Sequence, residues 1–331
     1  MKIWFSLLFL ALMLLYPRDS LSAAQEAFTL WQQTVAPSLL PFFAVLPALT
    51  CREATEIYAR ALKWPCRLLG LPGEVGGAAG IAFAAGSPAG AKALVRIAAQ
   101  KPLPADALFR AALLCAGVSP GFLLSGVGAG MLNDPGAGAI LALAQCAALV
   151  ASALLFRLLP LPKAPLALPV SADEADPLAI PFAVQGALSI LGWTVLFAVG
   201  ARILQLLLPP VCAPLIPLLA EFSGGSRYAC NLGLSRADLL PLLGAVIGFG
   251  GACAGCQNLS ALKPLGIPPQ MYFAAKAVQA ALCALFCRML CDFELPAVSM
   301  DPEHILPALA LLCAILFFRH RRHAAPRGDS L

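Results

Sequence analysis

Apolar runs long enough to cross a bilayer recur along this chain, and two of them are interrupted by glycine. The stretch GFGGACAGCQN, Gly248 to Asn258, places flexible and polar residues inside such a run. Lipid offers no hydrogen-bond partner to free backbone, so a chain like this is confined to helices, with breaks only where protein or a polar cavity surrounds them. Composition agrees. Hydrophobic residues make up 60% of the 331 and charged residues 12%, against roughly a quarter charged in soluble domains. The fold class expected is all-α, a polytopic membrane protein. Eight transmembrane spans are expected, at about 3–17, 27–50, 106–132, 136–157, 179–200, 238–262, 270–290 and 304–318.

Two further apolar pieces, about 75–98 and 211–234, carry glycine-rich interruptions and read as re-entrant hairpins. The first has its tip at GSPAG, Gly86 to Gly90, and the second at EFSGGS, Glu221 to Ser226. Lysine and arginine set the orientation. The tail carries Arg319, Arg321, Arg322 and Arg327, and the 51–70 loop carries Arg52, Arg60, Lys63 and Arg67, which places both termini on the cytoplasmic side. A crossing at 75–98 would strand Arg96, Lys101 and Arg110 outside, whereas a hairpin would not. The second hairpin then enters from outside. Arg202, Arg227 and Arg236 fall on the wrong side of this rule. The N-terminal segment has features of a signal peptide, but its apolar core runs to Tyr16 and favours an uncleaved span.

The order of parts divides the chain into an N-terminal transmembrane segment (1–26), a first repeat (27–160), a Pro-rich and acidic linker (161–178), a second repeat (179–291), and a C-terminal helix with a basic tail (292–331). Each repeat has a leading span, a glycine-tipped hairpin, a broken span and a span ending in arginine. The breaks are SPGF at Ser119–Phe122 and GFGG at Gly248–Gly251. The interval from Ser119 to Arg157 equals that from Gly250 to Arg288, and QCAALVASALLFRLL at 145–159 aligns with KAVQAALCALFCRML at 276–290. The halves start on opposite sides, so the repeat is expected to be inverted. Inverted-repeat transporters place their breaks near the midplane, facing the substrate.

Several residues admit two readings. Glu221 is either a functional acid at hairpin-tip depth or an interfacial residue paired with Arg227 or Arg236. Gln257 is either a solute ligand or an interhelical hydrogen-bond donor. Lys92 contacts an anion or snorkels to the surface. Ser119 and Ser125 line a cavity or bond back to their own helix, and Gly126, Gly128 and Gly130 permit close helix packing. Most of the twelve cysteines sit in apolar segments and behave as small hydrophobes. Cys253 and Cys256 form a C-x-x-C without a second ligand pair.

The pieces APSLLPFF (36–43), GSPAGAK (86–92), SPGFLLSGVGAGML (119–132), EFSGG (221–225) and GFGGACAGCQ (248–257) resemble the sporulation integral membrane protein family named YlbJ, of the nucleoside-recognition or Gate group. The plan also looks like that of concentrative nucleoside transporters, whose substrate lies between two hairpin tips and two broken helices. The resemblance puts Gly86, Ser87, Pro88, Glu221, Ser223, Gly224 and Gln257 on tip or break positions. The chain departs from the pattern in having Cys115, Ala116 and Gly117 before the first break and no glutamate at the first tip, which argues against a nucleoside cargo.

The expected solute site therefore comprises Gly86, Ser87, Pro88, Ser119, Glu221, Ser223, Gly224, Gly250, Gln257 and Asn258. The expected activity is movement of a small polar solute, with a connection to sporulation implied by the resemblance. The alternatives are a non-transporting organiser of the spore envelope, or a metal-ion gate using Cys253 and Cys256. Expected partners are the solute, a coupling ion, the lipid bilayer and further copies of the chain. No nucleic-acid partner, cofactor, resident metal or catalytic residue is expected. His304, His320 and His323 lie at the interface or in the tail, and no hydrolase triad or phosphate-binding loop is present.

Overall fold

In the computed structural model, residues 2–40, 51–101, 103–159 and 179–293 are described, and among them every regular element is helical. Helix α1 (Lys2–Leu15) and helix α2 (Pro17–Leu40) meet at a bend of 102°. The cause is local. Pro17 has no N–H to continue the ladder and forces Tyr16 out of helical geometry, at φ −119° and ψ 58°. The spans expected at 3–17 and 27–50 are corrected accordingly. The second helix starts at Pro17, and α1, with 14 residues, reaches only about 21 Å. Both pack on helix α10 (Ala179–Leu207), where Phe9, Leu12 and Ala23 meet Val195, Val199 and Ile203.

Among the described residues, four helices are long and apolar enough to cross a membrane: α9 (Pro135–Leu155), residues Val184–Leu207 of α10, the Arg236–Ala261 pair and α15 (Pro269–Leu290). Counting the bent pair as one span gives five among the described residues. The described residues do not confirm the count of eight. The expected span 106–132 is divided by its break, and 304–318 lies outside the described residues. The 51–70 stretch, read as a loop, is helical: α3 (Arg52–Ala61) and α4 (Lys63–Leu68).

Both hairpins form. Helices α5 (Val75–Ala85) and α6 (Ala89–Gln100) turn at Gly86, whose φ of 70° suits only glycine without strain. Helices α11 (Leu215–Ala220) and α12 (Phe222–Cys230) turn at Glu221. Both breaks form as well. Helix α7 (Ala105–Leu114) ends in an unwound stretch at 115–119, followed by α8 (120–131), mostly in wide π-helical turns. Helix α13 (Arg236–Phe249) stops at Gly250 and Gly251, with φ of 79° and 74°, before α14 (Gly251–Ala261). Hairpin, broken helix and long helix thus follow one another twice.

Each broken helix lies against the long helix that follows it, and small residues set the distance. A Cβ on Gly128 would stand 2.7 Å from the Cα of Gly138, and one on Gly248 would stand 2.7 Å from the carbonyl oxygen of Gln279 and 2.8 Å from the Cα of Ala280. The expected packing role of the SGVGAG glycines holds at Gly128, whereas a Cβ at Gly126 would meet the Phe122 ring of the same helix. Two arginines that broke the charge rule have carboxylate partners: Arg202 bonds Glu26 of α2 at 3.1 Å, and Arg236 pairs with Asp134. Asp134 also accepts the N–H of Ala137 at 2.9 Å and so caps α9.

Substituting Gly248→Ala forces backbone apart and should lower unfolding stability by roughly 1–3 kcal/mol. Gly192→Ala on α10, with open space around the new methyl, should leave it unchanged or raise it; thermal unfolding in detergent separates the two. The Ala137 N–H, and after it the Arg236 guanidinium, hold the Asp134 carboxyl below the usual range, against partial desolvation. A carboxyl depressed on folding stabilises above its unfolded pKa, and that contribution fades as pH falls through the folded value. Unfolding midpoints of the parent should therefore exceed those of Asp134→Asn at neutral pH and converge with them in acid.

Candidate functional site

Unwound backbone inside an apolar protein needs partners, and the first break obtains them from three neighbouring elements. The amide of Gln145, on α9, accepts the Val118 N–H at 3.1 Å and donates to the Val118 carbonyl at 2.6 Å. Lys276 of α15 donates to the carbonyl of Ala116 at 3.3 Å, and Gln279 donates to that of Leu113 at 3.2 Å. The N–H of Ser87, at the first hairpin tip, donates to the Gly117 carbonyl at 3.0 Å. Within the stretch, Ser119 accepts the N–H of Phe122 at 3.3 Å and starts α8. Ser125 bonds back to Gly121, the second of its two readings.

The first tip docks on this break and on the other half. A Cβ at Gly86 would stand 2.8 Å from the Ser119 nitrogen, so only glycine admits the contact. Pro88 follows a cis peptide and precedes α6. The Ser87 hydroxyl bonds the side-chain oxygen of Asn258, in the helix after the second break. Asn258, 1% exposed, also donates to the hydroxyl of Tyr272 on α15 at 2.9 Å. It ties tip, broken helix and long helix together.

The second tip is built around its acid. Glu221 is buried and accepts the N–H groups of Ser223 and Gly224 at 3.0 and 2.7 Å, and the Ser223 hydroxyl at 2.5 Å. It caps α12. Pairing with Arg227 or Arg236 does not occur. This tip rests on the second break, where a Cβ at Gly251 would stand 2.9 Å from the Cα of Glu221. It also reaches the first half through Phe222, stacked edge to face on Phe122 with ring centroids 5.5 Å apart. Each tip therefore touches its own break and the broken helix of the other half.

Of the expected residues, Gly86 meets Ser119 and Ser87 meets Asn258, while Glu221, Ser223 and Gly224 form one cap that rests on Gly251, next to Gly250. Gln257 is half-buried and donates to the sulfur of Cys253 in its own helix at 3.3 Å, rather than across helices. Lys92 is exposed on α6. Among the described residues, no three His, Cys, Asp or Glu side chains converge as metal ligands.

The residues missed from sequence are Gln145, Lys276 and Gln279. Lys276 is 2% exposed, bonds the Gln279 oxygen at 2.8 Å, and its Nζ lies 3.8 Å from where a Cβ on Gly250 would stand. One buried amine thus spans both breaks. The signal was present, since Gln145 and Lys276 are the first residues of the two aligned long-helix segments. A buried ionisable group in a membrane helix is costly and points to function.

No family model matches the sequence, and no solved structure matches it. Among characterised proteins the chain is similar to the sporulation integral membrane protein YlbJ of Bacillus subtilis (strain 168), at 24% identity over 86% of this chain and 81% of that protein. This similarity supports assignment to the YlbJ family, and with the apolar helices it supports a multi-pass integral membrane protein.

Replacing Asn258 by Leu leaves the Ser87 hydroxyl and the buried Tyr272 hydroxyl without this partner. Unfolding in detergent should show a loss of about 2–4 kcal/mol, and Tyr272→Phe in the same background should add little to it.

Proposed function

We propose that the protein moves a small polar solute across a bacterial membrane by alternating access, with the solute held where the two hairpin tips meet the two breaks. One observation carries the reading: each tip contacts both halves, so a shift of either half remakes the surface between them. Backbone released from helix at 115–119 and at Gly250–Gly251 supplies polar groups at that point, as in transporters whose discontinuous helices bind substrate. Ser87, Ser119, Glu221, Ser223, Gln257 and Asn258 add side-chain donors and acceptors.

The repeat is inverted in this reading, as in the Gate group. The first hairpin enters from the cytoplasm, where both termini lie, and the second from outside. The basic residues Arg60, Lys63, Arg67, Arg96 and Lys101 flanking the first hairpin support that orientation. A role in sporulation is carried over from the named function of the YlbJ relative. The work proposed is translocation without covalent chemistry, so the protein is not read as an enzyme.

Single cysteines at Ser87 and Ser223, in a background without native cysteines, should react with membrane-impermeant thiol reagents from opposite faces of inverted and right-side-out vesicles. Labelling of both from one face would remove the inverted arrangement. In uptake assays over a panel of small polar metabolites, the double substitution Glu221→Gln with Gln257→Ala should abolish accumulation at unchanged membrane abundance. Full uptake in that variant would remove the site.

A further inference from the structure

A strongly charged cleft outside the crossing lies on α3 and α4. It has a volume of about 360 Å³ and is lined by Arg60, Lys63, Arg67, Lys101, Glu56 and Glu74. Its two carboxylates are already engaged: Glu56 bonds Arg52 at 3.2 Å, and Glu74 bonds Lys101 at 3.1 Å. Among the described residues, Arg60 donates only to the backbone carbonyl of Glu56, at 3.2 Å, and no carboxylate lies within ion-pair distance of Arg60, Lys63 or Arg67. Three cations are thus left facing one cleft.

Beside this row runs an apolar one. Ile57, Trp64 and Leu68 recur at helical spacing and are 46%, 70% and 55% exposed. The opposite flank of the same helices is fixed to the first hairpin: Tyr58 fills the space beside Gly80, and Leu62 and Ala59 that beside Gly76. The α3–α4 unit therefore has one face bolted down, one apolar and aromatic stripe outward, and a basic cleft between. An apolar stripe bordered by cations is the composition of an interfacial helix that lies at the headgroup level of a membrane.

We propose that this cleft binds an anionic glycerophospholipid, with the headgroup phosphate held by Arg60, Lys63 and Arg67 and an acyl chain laid along Ile57, Trp64 and Leu68. Charge and shape agree on this occupant. Guanidinium groups present paired N–H donors to phosphate oxygens, and an ammonium adds a point charge. The indole of Trp64 suits the boundary between headgroup and hydrocarbon. The site stands apart from the tips and breaks, so it does not depend on what the centre carries.

The test uses the full chain with Trp64 as the sole tryptophan, Trp4, Trp31 and Trp193 being replaced by Phe. It is reconstituted in phosphatidylcholine vesicles containing a low fraction of lipid brominated on its acyl chains. Brominated phosphatidylglycerol should quench Trp64 with an apparent affinity about fivefold or more above that of brominated phosphatidylcholine. The R60Q/K63Q/R67Q variant should bring the ratio to about one, single R60Q and R67Q should fall between, and R52Q, whose side chain lies outside the cleft, should keep the parent value. Equal quenching by the two lipids in the parent protein, or a preference that survives the triple substitution, overturns the proposal. So does loss of the preference on adding millimolar glycerol phosphate, which would mark a site for a soluble anion instead.

Discussion

The need to satisfy unwound backbone within an apolar protein governs this structure. A helix interrupted at 115–119 exposes N–H and carbonyl groups that lipid cannot solvate, each worth several kcal/mol if left alone. Gln145, Lys276 and Ser87 bond to that one stretch, and Gln279 bonds the carbonyl of Leu113 just before it. Their positions require α9, α15 and the first hairpin to converge on it. Glycines at 128, 138, 244 and 248 let the long helices come near enough. The architecture can be read as the set of elements needed to keep that break solvated by protein.

Much of the centre was legible from sequence, for a local reason. A residue such as Gly86 or Gly250 announces its own backbone angle, and Ser119 before Pro120 announces a helix start, whatever the tertiary context. Hairpin tips and breaks are made of such residues. The bend at Pro17 was equally local, and went unread because an apolar count runs over a single proline without registering it.

What stayed hidden depends on residues far apart in the chain. Arg202 and Arg236, exceptions to the charge rule in the expected orientation, pair with Glu26 and Asp134, 176 and 102 positions away. Glu221 was weighed for partners at a distance and found them in the next three residues. Asn258, expected beside a break as a solute ligand, is also a joint between Ser87 and Tyr272. In an apolar chain, polar side chains are few, so each carries more structural duty than its neighbours in sequence reveal.

The matched positions of Gln145 and Lys276 have one more consequence. Had the halves remained alike, each would clasp the discontinuity of its own repeat. Instead Gln145 clasps its own, and Lys276 reaches across to the carbonyl of Ala116, so both hold the first. Among the described residues, no side chain bonds the backbone of Gly250 or Gly251. Support of the centre is therefore lopsided: side chains clasp the first break, whereas the second is held by the backbone of its own tip pressed on Gly251.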